Sequence, residues 1–268
     1  MMFVPSGDTQ VILKGGKEIG RLLQKATGLH FKTSVATSYA AVIEAMGAGK
    51  VEIGWLATFS YVLAHEKSGV EPLLVVQRFG MPLYRGQIMV RADRGIQDLA
   101  GLMGKRFAFV DPASTSGHLY PKTLLMSQGF DPEHFFKKIV FVGSHNAVVL
   151  SIYKGEVDGG AAYDGSRAAV AKMFPDVFDK VKVIAYTKEI PNDTVSVRKG
   201  LSGDLKMRIR EGLKKVSRSP QGSKVLKQLY GISGFTDLDG LFDPVREAGR
   251  LLNLNLGDLN PTSGSSSP

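Results

Sequence analysis

Cysteine is absent from the 268-residue chain. Disulfide bonds and thiolate metal sites are thereby excluded, while the redox compartment stays open. Histidine occurs only five times. The five show no paired metal-ligand spacing, and no His-Glu-x-x-His stretch exists. No glycine loop ending in Lys-Ser/Thr, the kind that cradles nucleotide phosphates, is found. No apolar run approaches the roughly 20 residues of a membrane-spanning helix. No signal peptide is visible either: "MMFVP" enters an apparent strand at once, so any targeting segment or lipid anchor is expected to lie outside this sequence. No cofactor and no metal is expected.

What is present begins with charge. The formal net charge of +9 admits nucleic acid, an anionic surface or a small anion as partner. The basic residues are scattered, however. Their densest run, residues 206–215, alternates Lys206, Arg208, Arg210, Lys214 and Lys215 with Leu205, Ile209 and Leu213. That spacing is the wet face of an amphipathic helix rather than a nucleic-acid stripe. The polar tail "NPTSGSSSP" has the composition of a disordered segment.

The chain contains a long internal repeat. "SYAAVIEAMGAGKVEIGW" from Ser38 aligns without a gap to "SHNAVVLSIYKGEVDGGA" from Ser144. Ala41/Ala147, Val42/Val148, Gly49/Gly155, Val51/Val157 and Gly54/Gly160 are identical, and Phe3-Val4 matches Phe109-Val110 at the same offset. The period is too long for a solenoid and fits two similar lobes. Each copy reads strand, helix, strand, helix, strand. The first helix spans Thr9–Thr27 in one copy and about 116–128 in the other. Each stops at a glycine, Gly28 or Gly129. The second helix of each opens at a serine, Ser38 or Ser144. Strands alternating with helices predict parallel sheets flanked by helices.

Two β-rich runs between the copies (73–78 and 87–91) and two more after the second ("VKVIAYTKEIPNDTVSV") are natural crossings between lobes. The remainder, from about Ser202, reads as helical and is expected to pack on the first lobe. The expected division is 1–86 with 192–268, and 87–191. In such α/β folds ligands bind beyond the strands' carboxyl ends, at helix N-termini, which points both sets of loops at one cleft.

The most suggestive motif is "VDPASTSGHLYP", residues 110–121. Three hydroxyl residues, Ser114, Thr115 and Ser116, precede Gly117 and an apparent helix with Pro121 near its start. A helix start carries unsatisfied N–H groups and about half a positive charge. Together with three hydroxyl donors it can replace the hydration of a tetrahedral oxyanion without an arginine. Read in isolation, the same residues are also a serine-rich cap that satisfies only its own helix. His145, one position past Ser144, and Tyr39, one past Ser38, occupy equivalent helix starts and are expected to face each other as donors. On that reading, affinity for an anion falls as pH rises through the titration of His145. Trp55 reads as core, and Ser6 and Asp8 as a cap for the helix at Thr9 as much as ligand contacts. His118 is left out of the site.

"VDPASTSGHLYP", "TSYAAVIEAMGAGKVEIGW", "GSHNAVVLSIYKGEVDGGAAYDG" and "IPND" together resemble the phosphonate- and phosphite-binding receptors of ABC importers, from "FVPSGD" to about residue 250. The resemblance implies a two-lobed α/β periplasmic-binding-protein fold, type II-like, with the ligand in a cleft between lobes joined by two crossings. It implies a non-catalytic, monomeric receptor outside the cytoplasm that delivers a phosphorus oxyanion to a transporter permease and has no nucleic-acid partner. Carried over by position, Ser114, Thr115 and Ser116 meet the phosphonate oxygens, and Tyr39, Tyr84, His145, Asp164 and Asp193 complete the site. Asp164 is one methylene shorter than the glutamate of some relatives, and "WLAT" (55–58) replaces a turn that often contains glycine.

Two carboxylates beside a bound anion need compensation, from a ligand ammonium, a ligand P–OH, or a base such as Arg85 or Arg167. The shorter Asp164 favours a small ligand, phosphite or methylphosphonate, over 2-aminoethylphosphonate. Two other classes stay open on fold alone. One is an enzyme acting on a phosphorylated or phosphonate compound, against which no nucleophile–base pair is found. The other is the effector domain of a DNA-binding regulator, against which no helix-turn-helix region accompanies the sequence.

Overall fold

The computed structural model describes residues 1–237 and 241–252. In the first copy of the repeat, β1 (Met2–Phe3) is followed by α1 (Thr9–Thr27), β2 (Ser34–Val35), α2 (Tyr39–Gly47) and β3 (Ile53–Leu56). Asp8 opens α1 by accepting the Val11 N–H, and Gly28 closes it in the left-handed region at φ 73°. Asp8 is therefore a helix cap. α1 turns Ile12, Ile19, Leu22 and Leu23 inward. α3 (Thr58–Ser68), β4 (Glu71–Arg78) and β5 (Leu83–Arg91) follow.

The second copy runs β6 (Arg106–Phe109), a π-helical turn (Thr115–Leu119), α4 (Tyr120–Ser127), β7 (Lys138–Phe141), α5 (His145–Lys154) and β8 (Gly159–Tyr163). Two short helices, α6 (Ser166–Val170) and α7 (Val177–Lys180), lead to β9 (Val181–Pro191) and β10 (Thr194–Val197). The chain then forms α8 (Gly203–Arg218), α9 (Pro220–Tyr230), β11 (Ile232–Thr236) and α10 (Asp243–Leu251).

The repeat is physical as well as textual. Ser38 Oγ accepts the Ala41 N–H at 3.1 Å, and Ser144 Oγ accepts the Ala147 N–H at 3.2 Å. The shared glycine of the third strands has one cause in both copies. A Cβ at Gly54 would lie 2.3 Å from Met46 Sδ, and one at Gly160 would lie 2.7 Å from Val148 Cγ1. Each glycine lets the helix after the second strand lie directly on the sheet.

The strand orders are β11-β4-β10-β3-β1-β2 and β7-β6-β8-β5-β9. Within each, the repeat contributes a parallel trio, β2-β1-β3 or β7-β6-β8. The crossing segments do more than connect. β10 pairs antiparallel with β3 and β4, and β5 pairs antiparallel with β8. Both sheets are consequently mixed, where the alternating pattern predicts parallel ones. Hydrophobic periodicity reports which face of a strand is buried, not the direction of its neighbour. The C-terminal part is also not purely helical: "ISGFT" pairs with β4 as β11.

The chain falls into two compact units. One comprises Met1–Tyr84 and Pro191–Val245; the other comprises Arg85–Ile190 with the end of α10 from Arg246. The expected division keeps everything after residue 192 in the first lobe, whereas the described residues from Arg246 group with the second unit. The tail expected to be disordered lies outside the described residues.

In the first unit, Phe3, Ile12, Ile19 and Leu23 share a core with Ile209 and Leu213 of α8 and with Leu226 and Leu229 of α9. The basic run 206–215 is the outer face of α8. Lys206 pairs with Glu71, and Arg210 and Lys214 pair with Asp237. Trp55 is core, stacked on Phe3 at 5.0 Å between ring centroids. The second unit packs Ile88, Val90, Phe107, Phe109, Leu125 and Phe136 together.

Candidate anion-binding site

β6 ends at Phe109, and the motif turns the chain into α4. Asp111 Oδ1 accepts the Ala113 N–H at 2.9 Å, which tightens the bend. Ser114 is extended (φ −79°, ψ 128°), and its Oγ accepts the Gly117 N–H at 3.1 Å. The Leu119 N–H reaches back five residues to the Ser114 carbonyl at 3.1 Å, so the first turn is wider than an α-turn. Such π-turns recur at functional positions. Gly117 is required here: its Cβ would lie 2.4 Å from Val110 Cγ2 and 2.6 Å from Val110 Cβ. Ser114, Thr115 and Ser116 are all buried. Three hydroxyls are thus gathered at a helix start whose dipole favours negative charge. Capping does not exhaust Ser114, since an accepting Oγ still has its O–H to donate.

His118, one residue on, is structural. It is buried, its Nδ1–H donates to the Pro112 carbonyl at 2.8 Å, and its ring meets Phe109 and Phe141 edge-on. Burial pushes its imidazole down to about 3, the nearby Lys122 ammonium adding to the effect. The stabilisation is therefore complete above pH 6.5, the unfolded value, and drains as pH falls towards 3, because only the unfolded chain takes up the proton. One such group contributes a slope of about 1.4 kcal/mol per pH unit in that window. Replacing His118 by phenylalanine is expected to flatten stability between pH 6 and about 4 relative to wild type, measured by urea unfolding at each pH. Parallel curves for the two proteins would contradict this.

Of the remaining expected residues, Tyr39, His145 and Asp164 follow the carboxyl ends of strands, whereas Tyr84 is the second residue of β5 and Asp193 lies in the short link between β9 and β10. His145 is the first residue of α5, after β7, and Tyr39 is the first of α2, after β2. Both are buried. His145 Nδ1 accepts the Tyr163 backbone N–H at 3.2 Å, which leaves Nε2 as the protonated nitrogen. Protonating Nδ1 would cost that hydrogen bond. In the neutral imidazole, Nε2 is then the nitrogen with a proton to donate. Asp164 follows β8, is exposed, and donates its own N–H to the Arg85 carbonyl at 3.0 Å.

Asp193 is held by a residue that sequence reasoning missed. Arg78, at the end of β4, places Nη2 2.6 Å from Asp193 Oδ2 and Nη1 3.0 Å from Asn192 Oδ1. Its guanidinium lies 5.5 Å from the centroid of the Tyr84 ring. The two arginines expected to compensate the carboxylates are engaged elsewhere. Arg85 lies over Tyr186, and Arg167 donates to the Val181 carbonyl and covers Phe178. Arg78 was legible only as a charge ending an apolar strand; its partner is 115 residues away.

No group of three or more metal-ligating side chains occurs among the described residues, and no described helix is long and apolar enough to cross a membrane. Two α/β units, each with a parallel trio whose carboxyl ends carry helix starts, define a solute-binding fold. The chain belongs to the family of ABC transporter phosphonate periplasmic substrate-binding proteins, whose model matches residues 1–240. It is 34% identical over 154 residues to the phosphate-import protein PhnD of Mycolicibacterium smegmatis, covering 54% of this chain and 48% of that protein. It is 27% identical over 212 residues to the phosphonates-binding periplasmic protein of Escherichia coli, covering 77% of this chain and 62% of that one. The chain thus spans about half the length of the first and under two thirds of the second.

The fold is shared with a binding protein component of an ABC phosphonate transporter from Pseudomonas aeruginosa. The TM-score is 0.86 at 24% identity, over 98% of this chain and 89% of that one. It is shared also with PhnD1 from Prochlorococcus marinus, solved in complex with methylphosphonate. There the TM-score is 0.84 at 20% identity, over 94% and 97% of the two chains.

Proposed function

We propose that this chain is the solute receptor of an ABC importer and binds a phosphorus oxyanion, methylphosphonate or phosphite, without turning it over. The observation that carries the reading is the buried Ser114-Thr115-Ser116 run at the start of a helix, in a chain of the phosphonate-binding family. The hydroxyls and first-turn amides replace the ligand's hydration, and the helix dipole matches its charge. The further contacts are assigned to Tyr39, Tyr84, His145, Asp164 and Asp193. Tyr39, Tyr84 and His145 act as donors to oxygens, and the aspartates meet the ligand's non-anionic side or its P–OH. The receptor works as a monomer in the periplasm or its equivalent and hands the ligand to a permease.

The 34% identical relative is named for phosphate import, which supports phosphate as the second reading. Calorimetric titration against methylphosphonate, phosphite, 2-aminoethylphosphonate, phosphate and sulfate tests both. Saturable binding of methylphosphonate or phosphite, with the ligand recovered unchanged, is expected. Tight phosphate binding with no response to phosphonates would favour the second reading, and binding of none of the five would sink both.

A further inference from the structure

Arg78 makes more contacts than a strand-end surface arginine needs. Its Nε donates to the Tyr230 carbonyl at 2.9 Å, Nη1 to Asn192 and Nη2 to Asp193. Asn192 is itself fully buried and fixed, with Nδ2 on the Met81 carbonyl at 3.0 Å. The guanidinium fork is therefore locked in orientation on three sides. The side chains of Arg78 and Asp193 are 15% and 26% exposed, so the pair is partly withdrawn from water, where a charge contact is screened least. A guanidinium stays protonated at any working pH. The carboxylate of Asp193 thus arrives at the site with its charge already answered from within its own unit.

We infer that Arg78 is a specificity-determining residue: by neutralising Asp193 it selects against phosphonates that carry an ammonium tail. This rests on the reading above, in which Asp193 meets the ligand. An aminoalkyl ligand needs an unanswered carboxylate to repay the desolvation of its ammonium. At Asp193 it meets a carboxylate whose nearest cation sits at 2.6 Å and is not displaced without breaking the Asn192 and Tyr230 contacts as well. A ligand whose tail is short or apolar faces no such cost. Arg78 acts through Asp193 and is a positioning residue, not a group assigned to the phosphonate oxygens.

The test compares 2-aminoethylphosphonate with propylphosphonate, which has nearly the same length and lacks the ammonium. Kd values are measured by calorimetry for wild type, Arg78→Met and Arg78→Lys, with methylphosphonate as reference and thermal unfolding as the check on folding. Wild type is expected to bind propylphosphonate at least as well as the amine. Arg78→Met, which exposes a bare carboxylate, is expected to move the ratio of the two Kd values towards the amine by about tenfold or more. Arg78→Lys, which keeps the charge, is expected to stay near wild type. Adding Asp193→Asn to Arg78→Met is expected to erase the gain.

Methylphosphonate binding with an unmoved ratio in a folded Arg78→Met protein would overturn the role of Arg78 alone. A tenfold wild-type preference for the amine would do so even if that variant did not fold. Failure of wild type to bind any phosphonate would overturn the underlying function and this inference with it.

Discussion

Replacing Ser114, Thr115 and Ser116 together by alanine is expected to weaken methylphosphonate binding by about a thousandfold or more. Each hydrogen bond to a charged group is worth roughly 1.5–3 kcal/mol, and every 1.4 kcal/mol is about tenfold in affinity. Three such bonds sum to more than three decades, and coupling between neighbours trims that sum. A cap-only role makes a different forecast, because Ser114 Oγ accepts the Gly117 N–H. Losing that cap costs about 1 kcal/mol of stability and nothing in affinity. The single variants separate the two. Ser114→Ala is expected to lower both stability and affinity, while Thr115→Ala and Ser116→Ala lower affinity by about tenfold or more each. Calorimetry and thermal unfolding on the same samples decide. A triple variant that binds methylphosphonate as wild type does would reduce the motif to a helix cap.

Substituting alanine for Gly117 is expected to damage the same site through the backbone. The added methyl would lie 2.4 Å from Val110 Cγ2 and 2.9 Å from Ser114 Oγ. Val110 is fully buried, and its N–H donates to the Gly117 carbonyl at 3.2 Å, so neither side has room to yield. Overpacking of this kind costs about 1–3 kcal/mol, or about 2–12 °C in Tm for a chain of this size. The relaxation that relieves it drags Ser114 and Ser116 off their places, so affinity is expected to fall more than tenfold as well. Trimming the obstacle should help: Val110→Ala in the Gly117→Ala background takes away Cγ2, at 2.4 Å, but keeps Cβ, at 2.6 Å, and is expected to regain part of the affinity. Purely additive losses in that double-mutant cycle would locate the damage elsewhere.

How much of this was legible depends on the range of the interaction. The repeat, the capping serines 38 and 144 and the helix stop at Gly28 are local features, and each left its mark in a few neighbouring residues. The position of the hydroxyl run at a helix start was legible for the same reason. Its π-turn was not, because the Leu119 to Ser114 bond is a matter of backbone register rather than residue type. Strand direction was lost as well. Val195 lies between Trp55 and Leu74, and nothing near Val195 announces either partner. The Arg78–Asp193 contact was out of reach on the same ground. The sequence offers Arg85 and Arg167 as compensating bases, while the observed partner of Asp193 closes the pair from 115 residues away.

The placement of β10 sets an order of events during synthesis. All five strands of the second sheet lie within residues 83–191, so that sheet can close as soon as this stretch has emerged. The first sheet cannot. β3 and β4 appear early and then wait, their facing edges unpaired, until Thr194–Val197 arrives to fill the gap between them. The N-terminal half of the first unit is therefore born first and finished last. In that interval it exposes two strand edges of the kind that recruit other chains. Once residues 83–191 have closed their own sheet, little unfolded chain is left between β4 and β10, which lowers the entropy cost of closing that loop.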